Sequence, residues 1–259
     1  MVNDSARPIV FLHLPKTAGQ SVRLFLNRAF PKRLVFPGQT DGHLAMHSRS
    51  DLRQYSIFAG HFSWSLLDFL GSEAMVFTIL RDPALRIISF YRYLRTQAEA
   101  LSSEQLKLPH NQGLRAAIDN PFEKFLTLNL PGISQFILSY FDNYYMFYFA
   151  TRVVNGRSFI RDQHPESDMF ASEQVLQVAI RNMRDALRAY NIRRLDDLVR
   201  DLSLEEGFVD VSMPSINRSA DAASTPEDIL PKISDNLQLA KEQLYMRSQF
   251  DAKIYHIFG

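Results

Sequence analysis

The chain of 259 residues contains no cysteine. Disulfide bonds, thiolate metal sites and cysteine nucleophiles are therefore excluded. The absence of cysteine does not identify the cellular compartment, because a cysteine-free protein folds in any redox environment. Long hydrophobic runs are also missing, and a membrane-spanning helix needs about 18 consecutive apolar residues. The nearest stretch, residues 133–150, is interrupted by Asp142 and Asn143. Residues 1–8 are polar and show no signal peptide. We expect a cytoplasmic protein without a transmembrane segment.

A large net charge is missing as well, since the chain has 29 Lys and Arg residues and 28 Asp and Glu residues. The distribution is nevertheless uneven. Residues 1–33 carry six basic side chains and a single acid, Asp4, and residues 81–95 carry four arginines and a single acid, Asp82. Basic side chains concentrated in this way favour an anionic ligand. The alternative is that several of them are solvated helix faces.

Hydrophobic patterning predicts strands early in the chain and helices later. Buried strands are predicted over residues 7–14 and 74–80, with a possible strand over 55–59. Helices are predicted over residues 19–29, 83–97, 122–130, 172–190, 192–204 and up to about 257. Residues 34–51, 101–113 and 157–170 are predicted loops.

This order of elements predicts an α/β protein with a three-layer, P-loop-like fold. A central parallel sheet would be flanked by helices, and the C-terminal half would be rich in helix. No internal repeat or low-complexity tract divides the sequence. We therefore interpret residues 1–259 as a single domain.

The first predicted strand leads into a polar turn, formed by Pro15, Lys16, Thr17, Ala18, Gly19, Gln20 and Ser21. A turn that opens a helix gathers backbone N–H groups and the positive end of the helix dipole, so anions bind there. Lys16 adds a full charge, and Gly19 allows close approach of the backbone. The order is not that of a Walker A motif, in which the lysine follows the second glycine. The alternative is an ordinary turn with a surface lysine.

The strand over residues 74–80 leads into a second polar turn. Arg81 stands where strand passes to helix, Asp82 and Pro83 form a typical helix start, and Ser89 lies about two turns along. A guanidinium and a hydroxyl placed in this way can hold a terminal phosphate. The alternative is that Arg81 pairs with Asp82 and that Ser89 is a packing residue. Two such turns suggest a nucleotide with phosphates at two ends.

Both turns resemble motifs of sulfotransferases that use 3′-phosphoadenosine 5′-phosphosulfate (PAPS). The first turn is similar to their 5′-phosphosulfate-binding loop, Pro-Lys-Thr-Ala-Gly-Thr-Ser, with Gln20 in place of the second threonine. The second, from Leu80 through Arg86 and Ser89 to Tyr91, is similar to their 3′-phosphate-binding motif. The resemblance is to the Golgi-type carbohydrate branch in particular, that of heparan sulfate 2-O-sulfotransferase and its bacterial relatives.

The resemblance implies how the nucleotide would be held. Residues 15–21 would cradle the 5′-phosphosulfate, and Arg81 and Ser89 would hold the 3′-phosphate. Asn217 and Arg218, in a segment similar to the family's late Asn-Arg-Ser loop, would cover the nucleotide. The product would be 3′-phosphoadenosine 5′-phosphate (PAP).

The resemblance also implies an enzyme that moves the sulfuryl group of PAPS to an acceptor hydroxyl on a carbohydrate. Such in-line transfer needs a group that takes the acceptor's proton and a cation that neutralises the leaving group. Lys16 suits the second role. His61 suits the first, because it follows a predicted strand at the sheet edge where ligands bind, and Gly60-His61-Phe62 resembles the segment of the family's catalytic histidine. The alternative for His61 is a structural hydrogen bond.

The other histidines are weaker candidates. His13 is predicted to lie within the first strand as a structural residue, with a position next to the nucleotide as the alternative, and His43 and His47 could bind substrate. A zinc site formed by these two and Asp41 is conceivable, but its spacing matches no standard site. We expect no metal and no nucleic-acid partner.

The acceptor side and the oligomeric state stay open. The aromatic segment of residues 140–149 is either core or, in part, an acceptor cleft. Four arginines could hold an anionic acceptor or be solvated: Arg92, Arg115, Arg152 and Arg157. Two other functions are also open, a P-loop kinase or NTPase and a non-catalytic nucleotide-binding protein with the sulfotransferase fold.

Overall fold

A computed structural model describes residues 7–163, 172–208, 211–214 and 224–259. Four parallel strands form its sheet: β1 (Ile9–Leu12), β2 (Ile57–Gly60), β3 (Met75–Leu80) and β4 (Arg188–Asn191). They lie in the order β2-β1-β3-β4. In register, Leu12 is opposite both Gly60 of β2 and Thr78 of β3, and Leu80 is opposite Asn191 of β4. All four strands therefore end at the same edge of the sheet.

Helices make up most of the rest of the described chain. The α-helices are α1 (Gly19–Ala29), α2 (Asp41–Ala45), α3 (Arg49–Leu52), α4 (Pro83–Glu99), α5 (Ser103–Leu106), α6 (Gln112–Asp119), α7 (Phe122–Leu126), α8 (Ile133–Phe141), α9 (Tyr144–Thr151), α10 (Gly156–Gln163), α11 (Glu173–Ala186), α12 (Leu195–Glu206), α13 (Pro226–Ile229) and α14 (Leu237–Phe258). Short 3-10 helices are Trp64–Leu70, Pro109–Asn111, Ile192–Arg194 and Leu230–Lys232.

Helices cover both faces of the sheet because successive strand residues point to opposite sides. On one face, Phe11 of β1 packs in a cluster with Phe25 of α1 and Leu198 of α12. On the other, Leu12 packs in a cluster with Met146 of α9 and Leu176 of α11. The predicted three-layer α/β fold is therefore confirmed, and so is its helix-rich C-terminal half.

A third core cluster lies among the helices and contains no strand residue. It joins α4 to α6, α7, α8 and the C-terminal helix α14, through side chains such as Phe90, Ala117, Phe125, Phe141 and Leu244. This cluster fixes α4, the helix that follows the second turn, against α14. Within the described ranges, no helix combines the length and the apolar character that crossing a membrane requires.

Several predicted boundaries were wrong. The helix predicted to reach residue 190 ends at Ala186, and the chain continues into β4. Among the described strands β4 lies at the edge of the sheet, and only Tyr190 of its four residues is buried, so no apolar run in the sequence predicts it. The helix predicted over 122–130 stops at Leu126.

The three predicted loops also contain short helices. α2 and α3 lie within residues 34–51, α5 and the start of α6 lie within 101–113, and α10 reaches Gln163. Ser48 and Ser102 start α3 and α5 with capping boxes. Helices of four or five residues span about one turn of 3.6 residues and are too short to produce a hydrophobic period.

Candidate functional site

The two predicted turns follow neighbouring strands. β1 leads into residues 13–18 and β3 leads into Arg81 and Asp82, and β1 and β3 pair directly. The strand order reverses here, since β2 lies on one side of β1 and β3 on the other. Open α/β sheets bind ligands in the crevice at such a switch point, outside the carboxyl ends of the strands. The fold thus places the two turns where a ligand can contact both.

The first turn has an unusual backbone. Lys16 and Ala18 have φ angles of 70° and 63°, the left-handed region that side chains other than glycine rarely adopt. The Thr17 side chain is fully buried, and its hydroxyl donates to the carbonyl oxygen of Leu14 at 2.8 Å. α1 then begins at Gly19, with Ser21 buried and Gln20 exposed. Strained turns of this kind cluster at ligand sites.

Lys16 and Arg81 bring two positive charges together at the carboxyl ends of β1 and β3. Burial, and then the charge of Arg81, lower the pKa of Lys16. Burial is also the main cause that lowers the pKa of Arg81, partly opposed by Tyr145 and Asp82. No ion pair within the described residues includes either side chain. Two close, half-buried cations without a paired carboxylate favour an anionic ligand.

The second turn begins α4 as the sequence predicts. Asp82 caps the helix, because its Oδ1 accepts the backbone N–H of Leu85 at 2.9 Å, and Pro83 occupies the first helical position. Ser89 is half-buried and lies one turn before Tyr93, on the same side of α4. The Lys16 ammonium lies 4.2 Å from the centre of the Tyr93 ring. The Ser89 face of α4 is therefore the one next to the first turn.

His61 directly follows β2 and stacks on His13, with ring centres 4.1 Å apart. Its Nδ1 lies 2.6 Å from the carbonyl oxygen of His13. Because a carbonyl oxygen only accepts hydrogen bonds, Nδ1 carries the proton, and in the neutral ring Nε2 keeps its lone pair. Burial lowers the pKa of His61, against the opposing effect of this hydrogen bond. The ring is thus neutral near pH 7 and has the form that a general base needs.

His13 connects the base candidate to the first turn. It lies just after β1, not within it as predicted. Burial first, and then the charges of His61 and Lys16, hold its pKa well below the usual range. A Cβ built on Gly19 would lie 1.9 Å from the His13 Cε1 atom, so the ring packs directly on the glycine. Gly19 is required because the imidazole occupies the space of a side chain.

The loop that carries α2 lies beside His61. The backbone N–H of His61 donates to the carbonyl oxygen of Gln39 at 2.7 Å. The Asp41 carboxylate accepts from the backbone N–H of Ser63 at 2.6 Å and from its hydroxyl. His47 packs edge-on against Phe36. Among the described residues, no three His, Cys, Asp or Glu side chains form a group that could hold a metal ion.

Most of the residues predicted to bind the acceptor form ion pairs or lie in the core. Arg115 pairs with Asp119 at 3.4 Å, and Arg152 and Arg157 pair with Asp68 and Asp142. The aromatic segment is largely core, with buried Tyr144, Tyr145, Phe147, Tyr148 and Phe149. Asn217 and Arg218, predicted to cover the nucleotide, lie outside the described residues.

Two side chains at the site were not predicted to act there: Tyr93 and Tyr145. The spacing of four residues between Ser89 and Tyr93 is the one signal that could have indicated Tyr93. The contacts of His13 with His61, and of Tyr145 with Arg81, join residues far apart in sequence.

No family model matches the chain, and no curated protein matches it in a sequence search. Three features of the chain's own residues carry the chemistry of the site: a cationic pair at a switch point, a strained turn that opens α1, and a histidine whose Nε2 keeps its lone pair.

Proposed function

We propose that this protein is a PAPS-dependent sulfotransferase that transfers a sulfuryl group to a hydroxyl of a carbohydrate. The observation that carries the proposal is the convergence of Lys16 and Arg81 at the switch point between β1 and β3. Each cation follows its own strand, so a ligand with an anionic group at each end can contact both. PAPS is a ligand of that kind.

The residues present fit this nucleotide. Lys16 and the N-terminus of α1 suit the 5′-phosphosulfate, since a helix start and a cation both favour anions. Arg81 and Ser89 suit the 3′-phosphate, with the guanidinium able to bind two oxygens at once. When bound, PAPS would supply the sulfuryl group, and PAP would be the product.

His61 and Lys16 would act on the two sides of the transfer. His61 Nε2, free because Nδ1 donates to the His13 carbonyl oxygen, would accept the proton of the acceptor hydroxyl. Lys16 would neutralise the negative charge that builds on the 5′-phosphate side as the sulfur–oxygen bond breaks. The preference for a carbohydrate acceptor rests on the resemblance of Gly60-His61-Phe62 to the carbohydrate branch.

The first test is a thermal shift of the purified chain with PAP without metal, with ATP and Mg²⁺, and with buffer alone. A ligand that binds only the folded state adds about 2.7 kcal/mol at a hundredfold excess over Kd. For a chain of this size, about 2–4 °C of Tm accompany each kcal/mol, so PAP should raise the Tm by several degrees. A larger shift with ATP and Mg²⁺ would support a kinase or NTPase instead, and no shift with PAP would contradict the proposal.

Transfer itself is tested with labelled PAPS and a panel of oligosaccharides, with simple phenols for comparison. The expected result is label on at least one oligosaccharide, lost in His61→Ala while PAP still raises the Tm. A chain that binds PAP but labels nothing would be the non-catalytic alternative. An active His61→Ala variant would place the base at another residue.

A further inference from the structure

The backbone of Arg81 is held by a single side chain. The Tyr145 hydroxyl donates to the carbonyl oxygen of Arg81 at 3.0 Å and accepts the backbone N–H of the same residue at 3.2 Å. Arg81 comes directly after Leu80, the last residue of β3. The hydroxyl thus engages both main-chain polar groups at the point where the ladder hydrogen bonds of the sheet end. Tyr145 is fully buried, so water does not compete for these bonds.

Tyr145 is in turn fixed by the C-terminal helix. The carboxylate of Asp251, on α14, accepts the backbone N–H of Tyr145 at 3.0 Å and of Met146 at 2.9 Å. These N–H groups are at the start of α9 and have no partner within that helix. Just before them, the Asn143 N–H donates to the carbonyl oxygen of Arg247 at 2.7 Å. The Asn143 side chain adds two more, since its Nδ2 donates to the carbonyl oxygen of Met246 at 3.3 Å and its Oδ1 accepts the backbone N–H of Phe250 at 2.9 Å. The start of α9 is therefore attached to α14 by five hydrogen bonds.

Arg86 completes this arrangement from α4. Its guanidinium lies 5.3 Å from the centre of the Tyr145 ring and donates to the carbonyl oxygen of Tyr140 at 3.0 Å. Arg86 and Asp251 are both completely buried. Burial raises the pKa of Asp251 to about 7, and the charge of Arg86 partly opposes this rise. Arg86 therefore packs its guanidinium against the Tyr145 ring from the side of α4.

We infer that Tyr145 is a positioning residue that fixes Arg81 for recognition of a 3′-phosphate, and that α14 fixes Tyr145 through Asp251. This inference rests on the proposed function. A guanidinium binds two phosphate oxygens only in a narrow range of orientations, and such groups need supporting residues that hold them in place. The hydroxyl supplies that support at the backbone from which the Arg81 side chain extends. Selectivity for nucleotides with a 3′-phosphate should therefore depend on a buried hydroxyl that contacts no ligand atom.

The test compares the Kd of PAP with the Kd of 5′-AMP, which lacks the 3′-phosphate, by isothermal titration calorimetry. Tyr145→Phe keeps the ring and removes the hydroxyl. Its Kd for PAP should rise roughly tenfold, the equivalent of about 1.4 kcal/mol, and its Kd for 5′-AMP should stay as in the wild type. The matched control is Tyr148→Phe, one turn later in α9, whose buried hydroxyl donates to the carbonyl oxygen of Phe62 at 2.7 Å. This control should leave both Kd values unchanged.

A double-mutant cycle separates positioning from general loosening. In an Arg81→Ala background, Tyr145→Phe should cause no further loss of PAP affinity, because its effect acts through Arg81. Asp251→Asn serves as a second variant and should also weaken PAP selectively. An unchanged PAP Kd in Tyr145→Phe, or equal losses for PAP and 5′-AMP, would overturn the inference. A wild-type chain that does not prefer PAP to 5′-AMP would remove the proposed function, and the role of Tyr145 with it.

Discussion

The contact between Gly19 and the His13 ring can be tested by adding one methyl group. In Gly19→Ala, the new Cβ would lie 1.9 Å from Cε1, 2.0 Å from Nε2 and 2.3 Å from Nδ1 of His13. Non-bonded carbon atoms sit about 3.5–4.0 Å apart, so the ring must retreat by roughly 1.5 Å or more. The ring cannot do so freely, because it is stacked on His61 at 4.1 Å and on Phe11 at 5.5 Å.

The expected cost follows from this overpacking. Inserting a methylene into a well-packed site destabilises by about 1–3 kcal/mol. At about 2–4 °C per kcal/mol for a chain of this size, the Tm should fall by several degrees. The matched control is Gly113→Ala on α6, where a Cβ would meet its nearest atom, on the Phe136 ring, at an ordinary 3.7 Å. Its stability should be unchanged or higher, since alanine favours a helix more than glycine does.

Urea unfolding measures both variants, with the fluorescence of the single tryptophan as the signal. Trp64 is 4% exposed in the folded chain, so its emission should change on unfolding. In a His13→Ala background the clashing ring is absent, and Gly19→Ala should then cost little. A Gly19→Ala variant as stable as the wild type, or one equally costly with and without the His13 ring, would refute the contact.

Three further predictions concern charge. Lys16→Ala should lower kcat about a hundredfold or more, the usual effect of removing a group that stabilises transition-state charge; a near-normal kcat in the PAPS transfer assay would contradict its role. As pH rises, kcat/KM should first increase as His61 loses its proton, with a midpoint below 6.5 because burial lowers the pKa of His61. It should then decrease as Lys16 loses its proton, with a midpoint below 10.5. If the increase at low pH persists in His61→Ala, His61 is not the group that titrates there. Burial raises the pKa of Asp251 to about 7 from 3.8, so the unfolded state loses its proton first as pH rises. The unfolding free energy of the wild type, measured relative to that of Asp251→Asn, should therefore decrease between about pH 4 and 7 by up to roughly 4 kcal/mol. Urea titrations of both chains measure it, and a relative stability of the wild type that increases with pH would contradict the burial effect.

Local sequence signals were reliable where a pattern was long and apolar. β3 is buried on both faces, so it reads as an uninterrupted apolar run, and its prediction over residues 74–80 is confirmed by Met75–Leu80. Asp82 and Pro83 also predicted the start of α4 correctly, because a helix cap depends on residues next to each other in the chain. β4 was missed, because only Tyr190 of its four residues is buried.

The sequence by itself determined the α/β class, the two polar turns and the residues that each turn offers, Lys16 and Arg81 among them. These follow from neighbours in the chain, because hydrophobic period, capping and turn chemistry are local. Only the tertiary structure decided that β1 and β3 are adjacent, so that the turns carrying the two cations lie side by side. It alone also placed His13 against His61 and Tyr145 against Arg81. Contacts of this kind depend on strand order and on how α9 and α14 pack, and no short stretch of sequence encodes them.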